Sequence, residues 1–192
     1  EKWLTRTLPY LRIAMDTLDV SGEVIVVDNN STDGTARIAR RHNARIVFEP
    51  VNQISRARNT GASIAKGRYF IFLDADTYLA PVLLKSAWQH LSGGRCCGGG
   101  CLVDFDKPIS LFSRKILDLW NWISITFGFA AGCFIYCRRD GFEAIGGFSE
   151  KVYASEEIWF SRELKSWGNT RNLVFQMISS PRIITSSRKL DW

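Results

Sequence analysis

The strongest constraint in this sequence is an apolar run that ends at two carboxylates. Residues 69–73 read Tyr-Phe-Ile-Phe-Leu and lead directly into Asp74, Ala75 and Asp76. A run this apolar predicts a β-strand covered on both faces by helices, and in such α/β folds ligands bind beyond the carboxyl ends of the strands. Two neighbouring acids repel each other unless a cation or hydrogen-bond donors hold them. The sequence therefore predicts a ligand site here, and a divalent metal ion is its simplest cation.

Strand and helix patterns alternate through the first half of the chain. A β-branched run over residues 23–28 ends at Asp28, and another strand is expected over residues 45–48. Helices are expected over residues 3–18, residues 33–41 with Ser31 or Thr32 as the N-cap, residues 54–66, and a segment after Pro81. Strict alternation of this kind predicts an α/β fold with a mostly parallel sheet.

The second half is less regular and begins with a glycine-rich stretch at residues 93–100. After it we expect a strand at 101–105, an aromatic helix, a strand at 133–137, helices from about 140 and over 155–167, and strands at 173–177 and 183–185. The chain has 192 residues, of which 46% are hydrophobic, and this suits one domain with a sizeable core.

Charge and cysteine usage limit the partners and the compartment. A net charge of +6 suits an anionic partner such as a phosphorylated metabolite, a nucleic acid or an acidic membrane, although an ordinary basic surface explains it equally well. An odd number of cysteines in apolar or glycine-rich surroundings favours buried thiols in a reducing cytosol over disulfides or a zinc site. These cysteines are Cys96, Cys97, Cys101, Cys133 and Cys137.

Residues 119–137 carry no charge and are about as long as a membrane span of ~20 residues. Small and polar residues dilute this stretch, so we expect the end of the aromatic helix, a turn and a short core strand instead. Apolar side chains flank Arg114 and Lys115, which leaves open a helix that rests on a membrane surface.

Three polar clusters fall where strands end or helices begin. They cover residues 28–35, 74–76 and 155–157. A crevice beyond the carboxyl ends of the strands requires this arrangement. A single capping acid such as Asp28 is more often structural, so the functional interpretation rests on the order and spacing of all three clusters.

The clusters belong to longer motifs. These read Glu-Val-Ile-Val-Val-Asp-Asn-Asn-Ser-Thr-Asp-Gly-Thr at residues 23–35, Ala-Arg-Asn-Thr-Gly at 57–61, Phe-Leu-Asp-Ala-Asp-Thr at 72–77, and Arg-Arg-Asp-Gly-Phe-Glu-Ala-Ile-Gly-Gly-Phe at 138–148, followed by Glu156-Glu157. With these motifs the chain resembles, over residues 23–167, the large family 2 of inverting glycosyltransferases. The resemblance implies the GT-A fold, in which helices flank a Rossmann-like, mostly parallel sheet and the acceptor-side half is mixed.

The resemblance implies donor-side roles for three acids. Asp28 takes the position of the acid that contacts the nucleoside base of a sugar nucleotide. Asp74 and Asp76 match the DxD motif, whose acids engage the ribose and a divalent metal ion that bridges the two phosphates. Oxygen ligands suit Mg²⁺ or Mn²⁺, and Asp76 is the preferred direct ligand.

The resemblance also implies a catalytic role for the acidic pair. Glu157 takes the position of the general base that accepts the proton of the acceptor hydroxyl. Family members usually have Glu-Asp or Asp-Asp here, so Glu156 stays open as the alternative base. The structural alternative is that both acids complement the positive end of the following helix.

Two arginines are further donor-binding candidates. Arg58 lies in the segment that the family places near the nucleotide, and its guanidinium can grip phosphate oxygens, although an exposed position on a helix surface would explain it equally well. Arg188 follows the last strand, where GT-A enzymes often have a mobile loop that closes over the donor, so it is positioned to reach the diphosphate.

Family members begin with a strand and a loop that form one wall of the nucleotide pocket, whereas this sequence starts inside the following helix. We therefore expect roughly ten or more residues before Glu1. We expect one GT-A domain over residues 1–192, with a nucleotide-sugar-binding half at 1–92 and an acceptor-binding half at 93–192.

The sequence thus predicts a metal-dependent inverting glycosyltransferase in the cytoplasm, with contact at the inner face of the membrane left open. Its partners would be a nucleoside diphosphate sugar and a hydroxyl acceptor, which could be a sugar, a lipid-linked molecule or a small molecule, but not a nucleic acid. Two alternatives remain: a sugar-phosphate nucleotidyltransferase, and a non-catalytic protein that binds nucleotide sugars.

Overall fold

Helices and strands alternate along the chain in a computed structural model that describes residues 1–190. The helices are α1 (Leu4–Asp16), α2 (Thr35–Arg41), α3 (Ile54–Ile64), α4 (Pro81–Ser92), α5 (Leu111–Phe127), α6 (Arg139–Ala144) and α7 (Glu156–Asn169). The strands are β1 (Ile25–Asp28), β2 (Arg45–Phe48), β3 (Tyr69–Leu73), β4 (Thr77–Tyr78), β5 (Cys96–Phe105), β6 (Phe134–Arg138) and β7 (Val174–Thr185), followed by a 3₁₀ turn at Ser187–Leu190. The expected α/β class is confirmed.

The described strands form two separate sheets. β1 and β2 pair in parallel, with Ile25 opposite Arg45 and Asp28 opposite Phe48. The larger sheet has the order β3-β6-β5-β7-β4, and within it only the β5–β7 pair is parallel. The strand directions are therefore mixed rather than mostly parallel, because β3 pairs with β6 from the second half of the chain and not with a strand of the first half.

The glycine-rich segment is part of a strand rather than an irregular connection. β5 covers ten residues from Cys96, so the expected strand at 101–105 is only its second half. A Cβ at Gly99 would collide with the carbonyl oxygen of Gln176, and a Cβ at Gly98 would lie 2.6 Å from the carbonyl oxygen of Tyr136. Glycines are needed because both neighbouring strands approach β5 closely.

Two further expectations about element boundaries are wrong. α2 begins at Thr35 and neither Ser31 nor Thr32 caps it, because the Ser31 N–H is used in a turn that closes on Asp28 and Asp33 accepts from the Thr35 N–H instead. The two strands expected at 173–177 and 183–185 are one strand of 12 residues.

The core lies on both faces of β6. Phe134, Ile135, Tyr136 and Cys137 are fully buried and alternate between the two faces, as side chains of a strand must. One face packs mainly on α4, through Leu83, Ala87 and Leu91, and the other on α6 and α7, through Phe142, Phe160 and Leu164. A third, smaller cluster joins α1, α2 and the β1–β2 sheet.

The cysteines and the uncharged stretch match their expectations. All five cysteines are free and buried, and burial raises the pKa of Cys97 to about 12. Residues 119–137 are the end of α5, a turn and most of β6. Within residues 1–190, every helix is too short or too polar to cross a membrane.

Candidate functional site

The two acids that follow β3 lie in a tight turn that leads into β4. The Thr77 N–H donates to the Asp74 carbonyl at 3.1 Å and closes the turn. Three more bonds hold it: Asp74 N–H to Cys133 O (3.1 Å), Thr7 Oγ1 to Ala75 O (2.7 Å), and Ser186 N–H to Asp76 O (3.1 Å). Elements distant in sequence therefore fix the backbone that carries both carboxylates.

Asp76 is buried and paired with a cation. Only 4% of this residue is exposed, and its Oδ2 lies 2.7 Å from Nε of Arg188, whose side chain is half exposed. A buried carboxylate needs a counter-charge, and the 3₁₀ turn after β7 supplies it. The structure thus brings together two of the predicted donor-binding residues.

The oxygen ligands available for a metal ion are few. Residues 1–190 contain no group of three or more His, Cys, Asp and Glu side chains that could share a metal ion. Asp74 and Asp76 would supply two carboxylates at most. Mg²⁺ commonly binds through one or two carboxylates plus substrate phosphates. The donor set therefore fits a divalent ion that completes its coordination with a diphosphate substrate.

Arg58 of α3 is buried at the centre of the site. Its Nη1 lies 2.7 Å from Oε1 of Glu156, while its Nη2 donates to the Gly132 carbonyl at 2.8 Å and lies 3.4 Å from Oδ1 of Asp74. The guanidinium also packs over the Phe148 ring, 5.0 Å from its centroid. Only 9% of the Arg58 side chain is exposed, so the exposed-surface alternative is wrong.

α7 begins with the acidic pair Glu156-Glu157, and the two side chains have different surroundings. Both line the cavity described below, but Glu156 is buried against Arg58, whereas Glu157 is half-buried. Burial raises the pKa of Glu157 above that of an ordinary glutamate, and the charges of Glu156 and Asp74 add to this rise. Ser155 precedes the pair with φ of 63°, a left-handed conformation that is rare outside glycine and asparagine.

A cavity of about 660 Å³ contains most of the predicted site. Its polar end is formed by Arg58, Asp74, Glu156 and Glu157. Its apolar wall comes largely from α5 and the loop before α7, including Phe112, Ile116, Trp120 and Tyr153. This volume falls within the usual range for small-molecule sites, about 300–1,000 Å³.

Three predicted residues lie outside the cavity lining. Asp76 and Arg188 form an ion pair with each other. The Asp76 carbonyl accepts the N–H of Ser186, which does line the cavity, so this pair lies next to it. Asp28 ends β1 on the smaller sheet, where its Oδ1 accepts the Ser31 N–H at 2.9 Å. The structure therefore groups six of the predicted residues and leaves Asp28 apart.

Sequence reasoning missed two residues that fasten the loop before α7. Asn59 donates to the Phe148 carbonyl and accepts the Phe148 N–H, both at 2.9 Å. Gln53 donates to the carbonyls of Glu150 (2.8 Å) and Val152 (3.2 Å). Asn59 follows Arg58 in the Ala-Arg-Asn segment, which was the available signal. The sequence predicts a core helix here, with contact at a membrane surface as the alternative, and gives no sign that this helix forms a cavity wall.

The chain is similar in sequence to known proteins. The profile of the family described as glycosyl transferase family 2 matches residues 19–146. Glycosyltransferase AglE of Haloferax volcanii is 26% identical over 167 residues, which cover 81% of this chain and 55% of that protein.

Two solved structures have the same fold. One is the mannosyltransferase PcManGT from Pyrobaculum calidifontis in complex with GDP-Man and Mn²⁺, with a TM-score of 0.66, 22% identity, and coverage of 95% of this chain and 54% of that one. The other is glucosyl-3-phosphoglycerate synthase from Mycobacterium tuberculosis in complex with Mn²⁺, UDP-glucose and phosphoglyceric acid, with a TM-score of 0.68, 16% identity, and coverage of 97% and 69%. The fold is therefore GT-A. The chain spans about half the length of AglE and PcManGT.

Proposed function

Because this chain belongs to glycosyl transferase family 2, we propose that it transfers a sugar from a nucleoside diphosphate sugar to an acceptor hydroxyl, with inversion at the anomeric carbon. The observation that carries the proposal is one cavity that Asp74, Arg58 and the half-buried Glu157 line together. The complexes of PcManGT with GDP-Man and Mn²⁺ and of the mycobacterial synthase with UDP-glucose and Mn²⁺ support the same substrate class.

Inversion requires one displacement, in which the acceptor oxygen attacks the anomeric carbon from the side opposite the leaving diphosphate. Glu157 is the proposed general base, and its raised pKa makes it a better proton acceptor than an ordinary glutamate. The proton moves to the Glu157 carboxylate as the bond to carbon forms, since a carboxylate does not deprotonate a free alcohol. Glu156, buried against Arg58, is less able to reach a hydroxyl in the cavity.

The donor's diphosphate would lie at the turn that carries Asp74 and Asp76. A bound Mg²⁺ or Mn²⁺ held there by Asp76 and Asp74 would neutralise the negative charge that develops on the leaving group. Arg188 is half exposed, so it can leave Asp76 and contact the diphosphate. Asp28 would accept from the nucleoside base, which makes residues 1–92 the donor half and residues 93–192 the acceptor half of the protein.

We propose a lipid-linked acceptor rather than a free small molecule, because the acceptor side of the cavity continues into an exposed apolar face of α5. Phe112 and Ile116 line the cavity and are 73% and 53% exposed, and Leu119 and Phe127 extend the same face. This face would contact the hydrocarbon chain at a membrane surface. Replacing both Phe112 and Ile116 by Ser should weaken transfer to a polyprenyl-linked acceptor far more than transfer to its water-soluble headgroup.

The cytoplasm is the proposed compartment, because all five thiols are free.

The test of the reaction class is product analysis with GDP-mannose, UDP-glucose and UDP-N-acetylglucosamine in the presence of Mn²⁺ or Mg²⁺. Release of nucleoside diphosphate, with an anomeric configuration in the product opposite to that of the donor, supports the proposal. Formation or consumption of pyrophosphate would identify a nucleotidyltransferase. Donor binding without turnover, for every donor and acceptor tried, would identify a non-catalytic binding protein.

The further strand expected before Glu1 stays a prediction. Within the described residues, β1 pairs only with β2 and β3 pairs only with β6, so each has an edge at which such a strand would pair. Intact-mass measurement of the natural protein tests it, and a natural start at Glu1 would contradict it.

A further inference from the structure

Resting on the proposed function, we infer that Arg58 is a positioning residue that gives the two adjacent glutamates separate roles. It binds Glu156 as a buried structural partner and thereby directs Glu157 toward the acceptor. This differs from the phosphate-gripping role that the sequence predicts for Arg58.

The contacts of the guanidinium support this role. Both terminal nitrogens are used within the protein, Nη1 by Glu156 at 2.7 Å and Nη2 by the Gly132 carbonyl at 2.8 Å. The ring of Phe148 covers one face of the group. The side chains of Arg58 and Glu156 are 9% and 6% exposed, so a phosphate could replace Glu156 only by leaving that carboxylate buried without its counter-charge.

Four segments that are distant in sequence meet at this one side chain. Arg58 belongs to α3, Glu156 to α7, Asp74 to the turn after β3, and Gly132 to the loop before β6. Removing the guanidinium would therefore release the start of α7 from the turn that carries the donor-side acids.

The same contacts place the positive charge beside Glu157. A Cβ at Gly132 would lie 3.1 Å from Nη2 of Arg58 and 3.8 Å from Cδ of Glu157, so both groups lie on one side of Gly132. The charges of Glu156 and Asp74 raise the pKa of Glu157, and the charge of Arg58 lowers it. Arg58 and Glu156 thus have opposite electrostatic effects on the same proton acceptor.

Because Arg58 and Glu156 act in opposite directions on Glu157, removing one or the other should shift the pH dependence of kcat in opposite directions. A purely structural role of Arg58 would not produce these shifts. The variants are Arg58→Gln, Arg58→Lys and Glu156→Gln, each compared with the unaltered protein in kcat, donor KM and the pH dependence of kcat. We expect Arg58→Gln to lower kcat by about 100-fold or more and to move the acidic limb to higher pH, because Glu156 keeps its charge without its partner. Glu156→Gln should move that limb to lower pH, and Arg58→Lys should retain more activity than Arg58→Gln.

The outcomes separate this inference from the proposed function. A large rise in donor KM for Arg58→Gln with no shift of the limb would show that Arg58 binds the donor, and would overturn the inference. Equal losses in all three variants with no shift would show a structural role only, and would also overturn it. If Arg58→Gln does not fold, as judged by circular dichroism, Glu156→Gln decides: a shift of its acidic limb to lower pH supports the inference, and an unshifted limb overturns it. Retention of full activity by Glu157→Gln would instead contradict the proposed function.

Discussion

The two sheets of this protein carry different parts of the proposed site and are built very differently. All four residues of β1, which ends at Asp28, are only partly buried, whereas residues 134–137 of β6 are completely buried. The smaller sheet has a core cluster of five buried residues, while the two clusters around the larger sheet have sixteen and nine. In the proposed mechanism, proton transfer and diphosphate binding would therefore rely on the more heavily packed part of the molecule, and recognition of the nucleoside on a more lightly packed part.

The connection between the sheets is made by helices and not by strand pairing. Leu11 and Met15 of α1 pack against both the small cluster and the large one. On α3, Gly61 faces Val27 of β1 while Ala62 packs on the larger sheet. Asp28 therefore depends on helix packing for its position relative to Asp74.

Hydrogen exchange should show the largest difference between the two sheets. Amides of β6 should exchange only on global unfolding, and those of β1 through local opening, because few buried contacts hold β1. We expect exchange in β1 to be faster by about 100-fold or more, measured residue by residue by NMR. Equal protection in both strands would show that β1 is held as firmly as β6.

Alanine at two glycines should sharpen the same contrast. Gly99→Ala places a methyl against backbone that cannot move, so we expect a loss of about 3 kcal/mol or more in the free energy of unfolding. Gly61→Ala places it 2.9 Å from a Val27 methyl, where the lighter packing can yield and alanine favours the helix, so the change should stay within about 1 kcal/mol. Urea denaturation measures both, and a larger loss for Gly61→Ala would show that the smaller sheet is the tighter one.

Asp28→Asn tests the role of the smaller sheet in donor binding. Asparagine can keep the turn to the Ser31 N–H through Oδ1, but it replaces the other carboxylate oxygen, which would accept from the nucleoside base, by an NH₂ donor. We expect donor KM to rise about tenfold, equivalent to about 1.4 kcal/mol, with little change in kcat or melting temperature. A matched Asp76→Asn variant should instead lower metal-dependent kcat. Unchanged KM for Asp28→Asn would remove Asp28 from the donor site.

The smallest of the expected effects is a shift in the pH at which kcat falls on the acidic side. As the proposed base, Glu157 would have to be ionised to accept a proton, and its pKa is raised by burial and by neighbouring acids. Activity should therefore fall as the pH falls through this raised pKa, at a higher pH than an ordinary glutamate with a pKa of about 4.3 would give. The pH profile of kcat with a saturating donor measures this. An acidic limb at or below about pH 4.3 would show that the base lies in an unperturbed environment.

Residue patterns were enough to predict the elements in which one periodicity dominates. β2 and β3 have the bounds expected of them, and α4 begins at Pro81 as expected. The patterns failed at β5, because glycines that permit close strand contacts look the same in a sequence as glycines of a loop. They also failed on strand direction, since the pairing of β3 with β6 depends on contacts between residues more than 60 positions apart.

The site was predictable as a set of residues but not as a set of pairs. The order of the motifs predicts that Asp74, Glu156 and Glu157 belong to one site, and all three line the same cavity. No pattern in the sequence shows that Arg58 lies against Glu156, or that Arg188 lies against Asp76, because each pair joins distant segments through tertiary packing. Burial, which distinguishes Glu156 from Glu157, is likewise a property of the folded chain.

The most direct test of the account is the rate of nucleoside diphosphate release by Glu157→Gln, measured together with its donor affinity by calorimetry. We expect a loss of kcat of about 100-fold or more with donor affinity retained, because only proton acceptance is removed. Glu156→Gln, measured in parallel, should lose less. Full turnover by Glu157→Gln, or a loss confined to Glu156→Gln, would contradict the assignment of Glu157 as the base.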